Sequence, residues 1–162
     1  MINKFNNFLI LFVLFLLPKV YAAETIFLYK GTFNRTIKID DLYKFKETKK
    51  PSSKLKNLIR ITNQKEKELY KILSYEIEVP LKPTSRLMNS KIGEVFLTRL
   101  SKIIHPNKIL NKNIGTKAIR SGIILSSYNN NQRINLLDFF KAYPNKNIAI
   151  NLNALTQALT KV

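Results

Sequence analysis

The residues of this chain best equipped for chemistry stand side by side at Ser85-Arg86. A hydroxyl next to a guanidinium near the start of a helix can hold a carboxylate or phosphate, because free helix amides, the macrodipole and a planar fork of N–H donors all favour an anion there. Arg120, on a later apolar helix, is a candidate third member of such an anion or partner site. The pair also has a structural reading, in which Ser85 or Thr84 caps a helix and Arg86 pairs with a nearby acid such as Glu94. That reading is the plainer one, since Ser and Thr are ordinary caps.

Other chemistries find less support. One histidine, His105, and no cysteine leave only carboxylates for a metal, and Asp40-Asp41 read as helix-capping residues. A glycosidase needs two carboxylates facing across a cleft. Glu66, Glu68, Glu76 and Glu78 recur at a spacing of two, which turns helical neighbours apart. Lysines abound for a Ser-Lys nucleophile, but no spacing argues for one. There is no Gly-x-Ser-x-Gly elbow, and His105 precedes a proline with no carboxylate close in sequence. The expectation is therefore a chain without catalytic residues, metal or cofactor.

The formal net charge is +18, with 28 basic and 10 acidic residues. Such an excess attracts polyanions or anionic lipid. Nucleic acid is disfavoured because Arg, the better phosphate fork, appears only six times, and because the chain reads as exported. The densest basic stretch contains Lys49, Lys50, Lys54, Lys56 and Arg60, a candidate patch for an anionic membrane surface. Lys56 and Arg60, four apart, share a helix face turned from Leu55 and Leu58. A solvated face in a lysine-rich composition is the plainer alternative.

The elements that must position these residues follow from periodicity. Thr25–Tyr29 and Asn34–Ile39 alternate around Gly31, which predicts a β-hairpin. Asp40 is read as the cap of a short helix burying Leu42 and Phe45, closed by Lys49-Lys50-Pro51-Ser52. A helix from Ser53 carries Leu55, Leu58, Ile59 and Thr62, and a second, capped by Asn63, groups Leu69, Ile72, Leu73 and Ile77. Val79 to Pro83 makes a connector, with Pro83 suited to the first turn of a new helix. Ile92–Ile104 reads as the best amphipathic helix, its apolar arc formed by Ile92, Val95, Phe96, Leu100, Ile103 and Ile104, with Glu94, Thr98, Ser101 and Lys102 opposite. Thr116–Tyr128 is apolar around much of its circumference and is expected at the centre. Asn135, with Asp138 three residues on, caps a helix that Pro144 stops; Asn147–Leu152 then alternates as a third strand before a final helix with Leu155 and Leu159. The predicted class is α+β and α-dominated: about seven short helices, with a small sheet made from an N-terminal hairpin and a C-terminal strand.

The first 22 residues belong to none of this. Lys4 precedes the ten-residue apolar run Phe8–Leu17, then come Pro18 and Val20-Tyr21-Ala22, the features of a secretory signal peptide cleaved after Ala22. The run falls short of the roughly 20 residues that span a bilayer, and Lys19 blocks its extension. The expected organisation is a signal peptide, 1–22, and a single helical domain, 23–162, exported to a periplasm, thylakoid lumen or medium and keeping no transmembrane segment after cleavage. Without cysteine it gains neither disulfides nor a lipid anchor, so packing alone must hold it.

The stretch from Pro83-Thr84-Ser85-Arg86-Leu87-Met88-Asn89-Ser90-Lys91-Ile92-Gly93-Glu94 to Leu100 resembles the most recognisable segment of a family, found mainly in cyanobacteria, labelled "alpha/beta hydrolase of unknown function". The likeness extends to the hairpin with Gly31 and Phe33, to Ala118-Ile119-Arg120-Ser121-Gly122, and to Leu136 through Asn151 with Tyr143-Pro144. The resemblance implies a helical N-terminal domain, followed in longer members by a hydrolase domain, whereas this sequence stops at Val162. The expectation is an exported, non-catalytic interaction or regulatory domain whose partner is a separate envelope hydrolase. The alternative is a small-ligand or lipid-binding module using an apolar pocket around Phe96 and Ile123, with Arg86 or Arg120 at its mouth. Hydrolase activity in its own right is disfavoured.

Overall fold

The computed structural model describes residues 22–107 and 111–160. The predicted signal peptide lies outside the described residues except for Ala22. Among these residues the fold is α+β and helix-dominated, with eight helices rather than about seven. No described helix is long and apolar enough to cross a membrane.

Strands β1 (Thr25–Lys30) and β2 (Phe33–Lys38) form the expected hairpin, and Gly31, at φ 58°, supplies the left-handed turn. The C-terminal strand joins it, but the sheet is larger than the sequence suggests. Its order is β2-β1-β6-β4, where β6 (Asn147–Asn151) runs parallel to β1 and the missed strand β4 (Ile104–Pro106) pairs antiparallel with β6. A second missed ribbon joins β3 (Ile77–Glu78) to β5 (Arg133–Ile134).

Helix α1 (Ile39–Thr48) buries Leu42 and Phe45 as expected, but its N-cap is Lys38. Asp40 and Asp41 stand inside the first turn, where their charge favours the dipole without capping. In α2 (Ser53–Ile61), Leu55 and Ile59 are buried and the Ser52 side chain accepts from the Leu55 amide. Asn63, at φ 52°, follows the C-terminal end of α2 and does not cap α3 (Glu66–Ser74), whose N-cap is Lys65. Of the expected α3 stripe Leu73 is buried, Ile72 is exposed, and Ile77 has left the helix to pair with Ile134.

The stretch around Ser85 folds as α4 (Leu81–Met88) and α5 (Lys91–Leu100). Neither Thr84 nor Ser85 is a cap: α4 begins after Pro80, and both residues lie in its interior. The amide of Leu81 is instead satisfied by the side chain of Gln132, 3.0 Å away. Ser90 caps α5 by accepting from the Gly93 amide. The predicted helix to Ile104 ends at Leu100, and its apolar arc divides: Leu100 and Ile104 pack against the core, whereas the first three members are turned outward. Ile92 is 75% exposed, Val95 55% and Phe96 46%, while Gly93 and Leu97 face inward.

The long helix α6 (Lys112–Asn129) is central as predicted, touching α4, α5, β4, β5 and α7 (Leu136–Ala142). Ala118, Ile119, Ser126 and Ser127 are buried along it. Gly122 lets α7 approach, since a Cβ there would lie 2.9 Å from Phe139. The Asn135–Asp138 box is complete, each side chain accepting from the other residue's amide. Helix α8 (Leu152–Leu159) closes the described fold.

Candidate functional site

The three candidate anion-site residues do not converge on a free cradle. Ser85 is half-buried in α4 and its carbonyl accepts from Asn89, 2.8 Å away, while Arg86 projects into solvent. Arg86 does not pair with Glu94; Arg120 does, its Nη2 lying 2.5 Å from Glu94 Oε2. Arg120 Nε also donates to the Met88 carbonyl at 3.0 Å. That carbonyl belongs to the last turn of α4 and would otherwise lack an intrahelical partner. Arg120 is thus a staple that ties the end of α4 and the start of α5 to the central helix, its side chain only 22% exposed.

The predicted basic patch is spread over three elements. Lys49 occupies the left-handed C-cap of α1, its ammonium 5.2 Å from the Tyr70 ring centroid. Lys50 is exposed in the following loop. Lys54 lines a shallow hollow with Arg35 of β2 and Asn57, Arg60 donates to that Asn57 at 3.0 Å, and Lys56 is exposed on α2.

His105 has gained a partner that sequence proximity could not supply. Its Nδ1 lies 3.0 Å from the Pro106 carbonyl and must donate to it, so Nε2 accepts the Tyr29 hydroxyl proton at 2.9 Å in the neutral ring. Both ring nitrogens of this buried side chain are engaged, which suits a brace between β1 and β4 better than a general base. Tyr43 has its pKa pushed up to about 12, chiefly by burial and then by the charges of Asp138 and Asp40. A phenol moved in that direction stays protonated near neutrality and is no base. Glu78 is tied loosely to Arg133 at 3.5 Å, and among the described residues no cluster of three His, Asp or Glu side chains could hold a metal.

Two surfaces stand out instead. The first is an open groove of about 320 Å³ whose floor includes Ile119, Ile123 and Phe139 and whose rim carries Ile72, Tyr75 and Ile77. Apart from the Tyr75 hydroxyl its polar lining is Asn135, whose side chain is spent on capping α7. The second is the outward ridge of α5, where Ile92, Val95 and Phe96 lie between Lys91 and Arg99. The pocket expected between Phe96 and Ile123 is therefore two separate features. Ile123 lines the groove, Phe96 stands on the ridge, and neither Arg86 nor Arg120 borders either.

Residues 22–151 match the family model described as alpha/beta hydrolase of unknown function. The chain belongs to that family. No curated protein and no solved structure matches it. The family's description names a hydrolase, yet the segment that matches contains no nucleophile elbow and engages its histidine in the sheet. Membership gives a family of unknown function and does not by itself assign a role to this chain.

Proposed function

We propose that this chain is an exported, non-catalytic interaction domain and that its partner is a separately encoded envelope hydrolase of the kind the family description names. The observation that carries the reading is the groove beside α3. Three large apolar side chains on its rim are exposed, Tyr75 to 70%, around a floor that bears no free polar group. A surface of that composition is stabilised by covering it with an apolar anchor from another protein. Export rests on Lys4, the Phe8–Leu17 run and the Val20-Tyr21-Ala22 site.

A second reading is favoured by the size of the groove, which falls at the lower end of small-ligand pockets and suits a hydrocarbon chain. The exposed rim speaks for the protein, because a ligand lying on the floor would leave Tyr75 and Ile72 in water.

Envelope extract passed over the immobilised chain distinguishes the two. The expected result is recovery of a polypeptide, identified by mass spectrometry, that carries a Gly-x-Ser-x-Gly elbow. Changing Ile72 to Asp together with Tyr75 to Ala should weaken its binding about 30-fold or more, the loss of about 2 kcal/mol typical of a central anchor. Co-purifying lipid with no protein would move the assignment to the ligand module. Turnover of a short-chain ester by the purified chain, abolished by replacing one serine, would overturn the non-catalytic reading.

A further inference from the structure

The outward face of α5 differs from every other exposed apolar surface described above in being bordered by cations. Lys91, Val95 and Arg99 follow one another at intervals of four, so they stack along one line of the helix, and Ile92 and Phe96 run beside them. All five are exposed and together line one shallow depression. The one acid of the helix, Glu94, points away to Arg120, which neutralises it. The face is therefore a shallow, open strip of three apolar side chains between two positive ends, on a chain whose formal charge is +18.

The geometry points to an anionic lipid bilayer as the occupant of this face. The strip lies open to solvent along its length, and a bilayer presents what it complements: phosphate at the level of the cations and hydrocarbon just beneath. Interfacial helices lie in the headgroup plane in this way, with Phe and aliphatic side chains dipping inward while Lys and Arg stay with the lipid phosphates. Two cations and three apolar side chains make the attachment reversible and salt-sensitive. It is independent of the groove, so the domain can hold a surface and a protein partner at once. The Lys49–Arg60 segment lacks this complementarity, because no exposed apolar strip runs between its charges and Lys49 leans on Tyr70.

The chain contains no tryptophan, so Phe96→Trp in the full chain installs a single indole on the ridge. With vesicles containing phosphatidylglycerol, its emission should shift to the blue, be quenched by brominated acyl chains and revert at high salt. Pure phosphatidylcholine vesicles should leave it unchanged. A parallel variant, Lys91→Ser with Arg99→Ser, both positions being exposed, should lower sedimentation with the anionic vesicles about 30-fold, from about fivefold per basic residue. Sedimentation of the Phe96→Trp chain without any change in its emission would place the contact elsewhere and overturn the proposal. Equal shifts with neutral and anionic vesicles would do the same. So would a shift seen only on adding a protein fraction, which would give the ridge to a protein.

Discussion

The groove beside α3 and the ridge of α5 are both apolar and both open to water, yet they are built in opposite ways. Elements far apart in sequence assemble the groove: α3, the β3–β5 ribbon, α6 and α7 each contribute, and its floor is continuous with the core through Ile119 and Phe139. One turn after another of a single helix makes the ridge, and α5 touches the core with its other side, through Gly93 and Leu97. A surface without charge selects a shape, whereas one bordered by Lys91 and Arg99 also selects a sign of charge. Exposed apolar area alone says little about a partner until the charges on its border are known.

The contrast breaks most visibly at Gly93. A Cβ there would sit 1.9 Å from the Leu87 carbonyl oxygen, so α4 and α5 must separate to admit one. Gly93→Ala should destabilise the domain by about 3 kcal/mol in urea unfolding, overcoming the better helix propensity of Ala. A neutral result would mean that the ridge helix is not seated on α4. Next in size is Arg120→Ala, which strands both the Met88 carbonyl and Glu94. A loss of about 2 kcal/mol is expected from the charged hydrogen bond, against a change within about 0.5 kcal/mol for the solvent-facing Arg86→Ala. Equal effects of the two would refute the staple. The smallest effect, of opposite sign, concerns the wall behind the groove. Tyr143 is fully buried, packs on Phe139 with ring centroids 5.7 Å apart, and its hydroxyl has no hydrogen-bond partner among the described residues. Burial also pushes its pKa well above the ordinary tyrosine value. Tyr143→Phe should raise stability by about 1 kcal/mol, measured by thermal melting, because an unmet polar group is removed without changing the ring.

What could be read in advance was whatever is settled by near neighbours. The hairpin was legible because alternation and Gly31 act within a few residues, and the Asn135–Asp138 box because its bonds span three. Ile92, Val95 and Phe96 read as part of an apolar face, and the structure leaves them uncovered. Periodicity shows that a helix has an apolar side, not that anything covers it. Strands of two and three residues, such as β3 and β4, leave no alternation to detect, and Ile77 reads as one more helical position until Ile134 is seen opposite it. Ser85 was placed at a helix start by its type, whereas Gln132, 51 residues from the amide it satisfies, carries no local mark. Arg86 was assigned Glu94 by proximity, and Arg120 took that carboxylate from 26 residues away. Part of the candidate site was therefore present in the sequence as a list of residues but not as a surface.

The parallel pairing of β1 with β6 joins the beginning of the described chain to near its end. Thr25 and Asn147, 122 residues apart, share a side-chain hydrogen bond at 2.6 Å, and the Glu24 amide donates to the Lys146 carbonyl. Until residues 147–151 have been made, β1 has only its hairpin partner, and β4, which pairs with β6 alone in the sheet, has none. Such distant closure carries a large entropic cost that is met only in the last step of assembly. A chain built this way holds its first strand by the hairpin alone until β6 arrives, so removing β6 should unseat β4 and leave one edge of β1 unpaired.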